Sequence, residues 1–177
     1  MILTTIVMNF ACTKNAENPI EFIKRTKNKD INMLFNVLID ARNSRNDTLR
    51  YYYSHTIMGI DTLTIPSFEY FDELYKNDTL LYTKVFEKLS QNEGNNEIEP
   101  KIFAKNYASK LQTLYNELKV ANISSKPNFG RFIEFTLVGG CKVYYLQESK
   151  SLNSYWLGRF KKFKNVDNKW YYECSRD

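Results

Sequence analysis

The sequence predicts an α+β domain: about five N-terminal helices packed on a C-terminal four-stranded antiparallel meander. Three observations predict it. Apolar residues recur at helical spacing from Ile31 to Ala121. The spacing changes to alternation after Pro127. Gly139-Gly140 then interrupts the alternation as a two-residue hairpin turn. Helices followed by strands is the element order of an α+β layer architecture. At 177 residues the chain fits one domain with a sizeable core. It divides into 1–18, a signal-like segment and tether, and 19–177, a single domain.

A short helical stretch is expected around Ile20–Lys24. Asp30 suits an N-cap, and Ile31, Leu34, Phe35, Leu38 and Ile39 follow at i, i+3, i+4, i+7 and i+8. That stripe predicts a helix of about three turns. Asn43–Asp47 is polar and reads as a loop. Leu49, Tyr52, Tyr53, Thr56 and Ile57 repeat the helical spacing up to Gly59. Ile60–Ile65 alternates and predicts a short strand that Pro66 ends. Ser67 and Asp78 begin two further helices, and Gln91–Glu99 is a polar loop. Pro100 suits the first turn of a long helix, with Tyr107, Leu111, Leu114 and Leu118 on one face.

Four strands are expected next: Arg131–Val138, Cys141–Gln147, Tyr155–Phe163 and Lys169–Cys174. In such a meander the second and fourth strands run the same way. Cys141 opens the one and Cys174 closes the other, about 20 Å apart at about 3.3 Å per residue. A disulfide needs Cα atoms within about 7 Å, so no intramolecular bridge is expected.

Composition excludes several classes. A 43% hydrophobic and 15% aromatic content is too apolar for a disordered chain. Cys12, Cys141 and Cys174 show no CxxC spacing and His55 is the sole histidine, which argues against a Cys/His zinc site. No glycine-rich phosphate loop, HExxH or GxSxG is present, so no catalytic residue, metal or cofactor is assigned. The net charge of +5 is uneven: residues 126–177 hold 10 Lys and Arg against 5 Asp and Glu. That excess falls short of a nucleic-acid footprint.

Residues 1–12 are an apolar run without a charged side chain, too short to span a bilayer. The run ends in Ala11-Cys12, and the polar stretch Thr-Lys-Asn-Ala-Glu-Asn-Pro follows. This segment resembles the end of a bacterial lipoprotein signal peptide. The resemblance implies lipidation of Cys12 and a lipid-anchored place in the cell envelope.

The stretch Tyr155-Trp156-Leu157-Gly158-Arg159-Phe160, with the turn at Asp167-Asn168 and Lys169-Trp170-Tyr171-Tyr172, resembles the sheet of NTF2-like (cystatin-like) domains. That resemblance implies a long helix across a curved sheet with a cavity between them. The expected role is binding without catalysis. The ligand is a small apolar or amphipathic molecule, or another envelope protein, held by His55, Tyr145, Trp156, Trp170 and Tyr172. One alternative is an NTF2-like enzyme with His55 or Glu134 as acid or base, Glu173 being the other strand carboxylate. The other is a cytoplasmic, immunity-like interaction module with a basic, aromatic sheet.

Overall fold

The computed structural model describes residues 16–43, 49–57, 60–65, 87 and 99–174. Helix α1 is Pro19–Thr26. Asn18 caps it, its Oδ1 accepting the Ile20 N–H at 2.8 Å, and proline opens the first turn. Strands β1 (Val37–Asn43), β2 (Leu49–Ile57) and β3 (Ile60–Ile65) follow. Helix α2 is Pro100–Leu118, with the Glu99 carboxylate accepting the Ile102 N–H. Then come β4 (Asn122–Ser124), β5 (Phe132–Thr136), β6 (Lys142–Leu146), α3 (Ser154–Phe160), β7 (Lys164–Asn165) and β8 (Trp170–Glu173).

All eight strands form one sheet in the order β3-β2-β1-β4-β5-β6-β8-β7, and each neighbouring pair is antiparallel. The expected five helices on a four-stranded meander are therefore not what the chain forms. Among the described residues three α-helices accompany an eight-stranded sheet that draws strands from both halves of the chain. The helices expected from Ser67 and Asp78 lie outside the described residues, except that Glu87, within the second, is helical.

Two expected helices are strands. After Asp30, whose carboxylate accepts the Asn32 N–H, the chain makes a single 3-10 turn, Asn32–Leu34. Asn36 then takes a left-handed conformation (φ 63°), which ends helical winding and which asparagine tolerates well. Val37 and Ile39 alternate inward from that point, both fully buried. In β2 the run Tyr51-Tyr52-Tyr53, with Thr56 and Ile57, is the aromatic and β-branched composition that suits strands.

One expected strand is a helix. Asn153 accepts the Trp156 N–H at 3.0 Å and starts α3, which places Trp156 and Phe160 on one buried face. This alters everything downstream. With the short β7 on the outer edge of β8, β6 and β8 pair directly and run antiparallel, Lys142 opposite Glu173. Cys141 and Cys174 then stand across from each other with Cα atoms 4.2 Å apart, and they form a disulfide. The expectation of no bridge is overturned because it rested on the Tyr155–Phe163 strand.

Alternation along the strands feeds two cores. Ile133, Phe135, Val143 and Trp170 face α1 and α2, packing with Phe22, Leu111, Tyr115 and Leu118. Phe132, Tyr144 and Leu146 face the other way, against Trp156 and Phe160 of α3 and Phe163 just beyond it. The described residues are thus layered helix, sheet, helix, and the first of these cores fills the space between the sheet and the α1 and α2 helices.

Candidate functional site

The β6–β8 ladder puts Tyr145 opposite Trp170, with ring centroids 5.0 Å apart. Both rings lie on the α1 face, beneath the segment that leaves the helix. That segment, Lys27–Asn32, closes over them and leaves a groove of about 360 Å³. Trp170 is buried and forms the floor, while Tyr145 is half-buried and forms a wall. Lys27, Lys29 and Asp30 make the rim, and Lys169 sits over the Tyr145 ring at 5.9 Å. Lys29 also pairs with Glu117 at 2.6 Å, which holds the rim against the end of α2. A second depression of about 390 Å³ begins at Asp30 and runs along α2 by Met33, Lys110, Thr113 and Leu114. Volumes of this size accommodate small ligands. Asp30 and the Lys29–Glu117 pair offset part of the rim charge, which leaves Lys27 and Lys169 as the cations beside the aromatic rings to meet a negative group on a flat or apolar body.

A second constellation lies on the α3 face. The Tyr144 side chain is fully buried, and its hydroxyl donates to Glu173. Arg159, from the last turn of α3, donates to the same oxygen at 2.6 Å. Lys142 pairs with Glu134 at 2.8 Å on the neighbouring strand. Burial, the bond to Glu173 and the charge of Glu134 together push the Tyr144 hydroxyl far above the ordinary tyrosine range. Partial burial alone would lower Arg159, but the Glu173 carboxylate outweighs it and holds the guanidinium above its usual value. A tyrosine kept neutral in this way is a hydrogen-bond donor that locks Glu173. It is not poised as a base or nucleophile.

The structure brings some expected residues together and separates others. Tyr145 and Trp170 share the groove. Tyr172 lies on the same face of β8, beside the main core, with Lys164 over its ring at 5.4 Å. Trp156 is on the opposite face, under α3, packed 4.6 Å from Phe132. His55 lies on β2 opposite Val37, and four strand spacings separate β2 from β6, about 19 Å. Glu134 and Glu173 both belong to the α3-face network, away from the groove. Cys12 lies outside the described residues. Sequence reasoning misses the rim residues Lys27, Lys29 and Asp30, because the spacing after Asp30 makes it read as the cap of a helix. The charged, non-periodic run Lys27-Asn28-Lys29-Asp30 was the available signal of a surface loop.

Compared with protein-family models, curated proteins and solved structures, the chain matches none.

Proposed function

We propose that this chain is a lipid-anchored binding domain of the cell envelope. It holds a small anionic amphipathic ligand, without catalysis, in the groove lined by Tyr145 and Trp170. The observation that carries this reading is the Cys141–Cys174 disulfide. Disulfides persist in oxidising compartments, so the pairing supports export. It also accounts for two of the three cysteines and leaves Cys12, the one directly after Ala11 at the end of the apolar run. The groove supports the binding half of the reading through its size and its lysine-rimmed aromatic floor.

Expression of the full-length chain in a bacterial host tests the address. The intact mass and membrane fraction of the wild type are compared with those of Cys12→Ala. The expected result is a lipid-sized mass gain with loss of residues 1–11, both abolished by the substitution. An unmodified protein that retains Met1 and stays out of the membrane fraction refutes it.

A further inference from the structure

Three features meet at the end of the sheet that carries the Gly139-Gly140 turn. The first is the entry of the chain. The Glu17 N–H donates to Val138 O at 3.0 Å, and Ala16 lies against Gly139, so closely that a Cβ on that glycine would sit 2.5 Å from the Ala16 Cβ. The second is charge. Helix α3 runs toward this end, since Arg159 in its last turn reaches Glu173, the neighbour of Cys174. The turn after it therefore presents Lys161, Lys162 and Lys164 beside the Cys141–Cys174 bridge, and β7 sets Lys164 opposite Tyr172. All three lysines are exposed, and none forms an ion pair among the described residues. Among the described residues, the carboxylates nearby are already engaged: Glu173 by Tyr144 and Arg159, Glu134 by Lys142, Glu17 by Arg25. The third is reach. Three residues lie between Cys12 and Ala16, so their Cα atoms are at most about 14 Å apart.

We infer that this end of the sheet seats on the anionic surface of the membrane that holds the Cys12 lipid, through Lys161, Lys162 and Lys164. The inference rests on the proposed lipidation of Cys12. A tether this short leaves the turn end little freedom to leave the bilayer, and uncompensated lysines match a negative headgroup layer. Each lysine near such a surface strengthens partition about five-fold, so three together give about a hundred-fold. The groove lies at the other end of the same sheet. Trp170 begins β8, Tyr145 stands near the end of β6, and Lys27–Asn32 follows the far end of α1. Seated in this way, the domain opens its groove away from the membrane.

Two measurements test the seat. The full-length Cys12→Ala chain is titrated with phosphatidylglycerol vesicles and with phosphatidylcholine vesicles. The expected result is binding to the first only, lost at about 1 M salt, where screening falls to about 3 Å. Lys161→Gln/Lys162→Gln/Lys164→Gln is expected to weaken it about a hundred-fold. Equal binding by this triple variant overturns the inference. So does binding to a single-stranded oligonucleotide while the anionic vesicles are ignored. Separately, the full-length chain is coupled through the Cys12 thiol to a maleimide lipid in phosphatidylglycerol vesicles and treated with an amine-reactive reagent. Slower modification of Lys161, Lys162 and Lys164 than of Lys27 is expected, and equal modification overturns the orientation. The anchor is supplied chemically in this arm. Its outcome therefore judges the seat alone, while the native mass judges lipidation.

Discussion

Removing the Cys141–Cys174 bridge gives the most quantitative test of the fold. The bridge closes a segment with a sequence separation of 33 that contains α3 and β7. For a loop of that length the chain-entropy relation gives about 12.5 cal/mol/K, or about 3.7 kcal/mol at 25 °C. The Cys141→Ser/Cys174→Ser variant should therefore lose about 3.7 kcal/mol, with a Tm about 7–15 °C lower. Guanidinium unfolding in a Cys12→Ala background provides the assay. The midpoint should fall and the slope should rise, because the unbridged denatured chain exposes more surface. A loss under about 1 kcal/mol would refute the entropic argument. Two free thiols in the denatured, unreduced Cys12→Ala chain would refute the pairing itself.

Other outcomes follow from the same structure. Trp156→Ala empties a buried ring site between Phe132 and α3 and should cost about 3–5 kcal/mol by chemical denaturation, whereas its exposed neighbour in Tyr155→Ala should stay within about 0.5 kcal/mol. Tyr144 is raised in the folded state, so its contribution is complete below the unfolded tyrosine value of about 10 and is lost as pH climbs toward the folded value. Stability measured across the alkaline range should thus fall less steeply in Tyr144→Phe than in the wild type. Among the described residues the buried Thr26 hydroxyl has no hydrogen-bond partner, so Thr26→Val should stabilise by about 1 kcal/mol, and a destabilised variant would disprove the orphaned hydroxyl. An anionic naphthalene-sulfonate dye should brighten on binding the groove and lose that signal in Tyr145→Ala and Lys27→Ala. Unchanged brightening in both variants rejects the groove as the site.

Where local chemistry decides structure, the sequence was readable. Pro100 opened a helix, Ile60–Ile65 formed a strand, and Gly139-Gly140 made a hairpin with φ values of 103° and 89°, although the loop takes in Val138 as a third residue. The failures came from apolar runs that fit two periods at once. Ile31, Leu34 and Ile39 satisfy a helical stripe, yet Val37 and Ile39 also alternate, and Asn36 decides between them through a backbone state that spacing does not reveal. Trp156, Phe160 and Phe163 stand at i, i+4 and i+7 behind the cap Asn153, a helical signature hidden within an aromatic run that also suits a strand. That single reversal moved Trp156 to the opposite face and brought Cys141 to Cys174. Tyr145 and Trp170 were legible as residues of one sheet because both sit on true strands, where they face each other. The rim of the groove was not, because it is built by a loop whose path depends on the β1 register.

Strand β4 is three residues long, while its neighbours β1 and β5 have seven and five. It is nonetheless the element that joins β1–β3 to β5–β8 in one sheet. Mechanically the sheet is therefore two broad leaves held by a narrow isthmus. Opening under stress should begin by parting at β4, with its amides exchanging hydrogen sooner than those of β6. Whatever the β1–β3 leaf undergoes is passed to the stapled leaf through that strip and the side chains packed over it. The disulfide, lying wholly in the second leaf, leaves this line of weakness untouched.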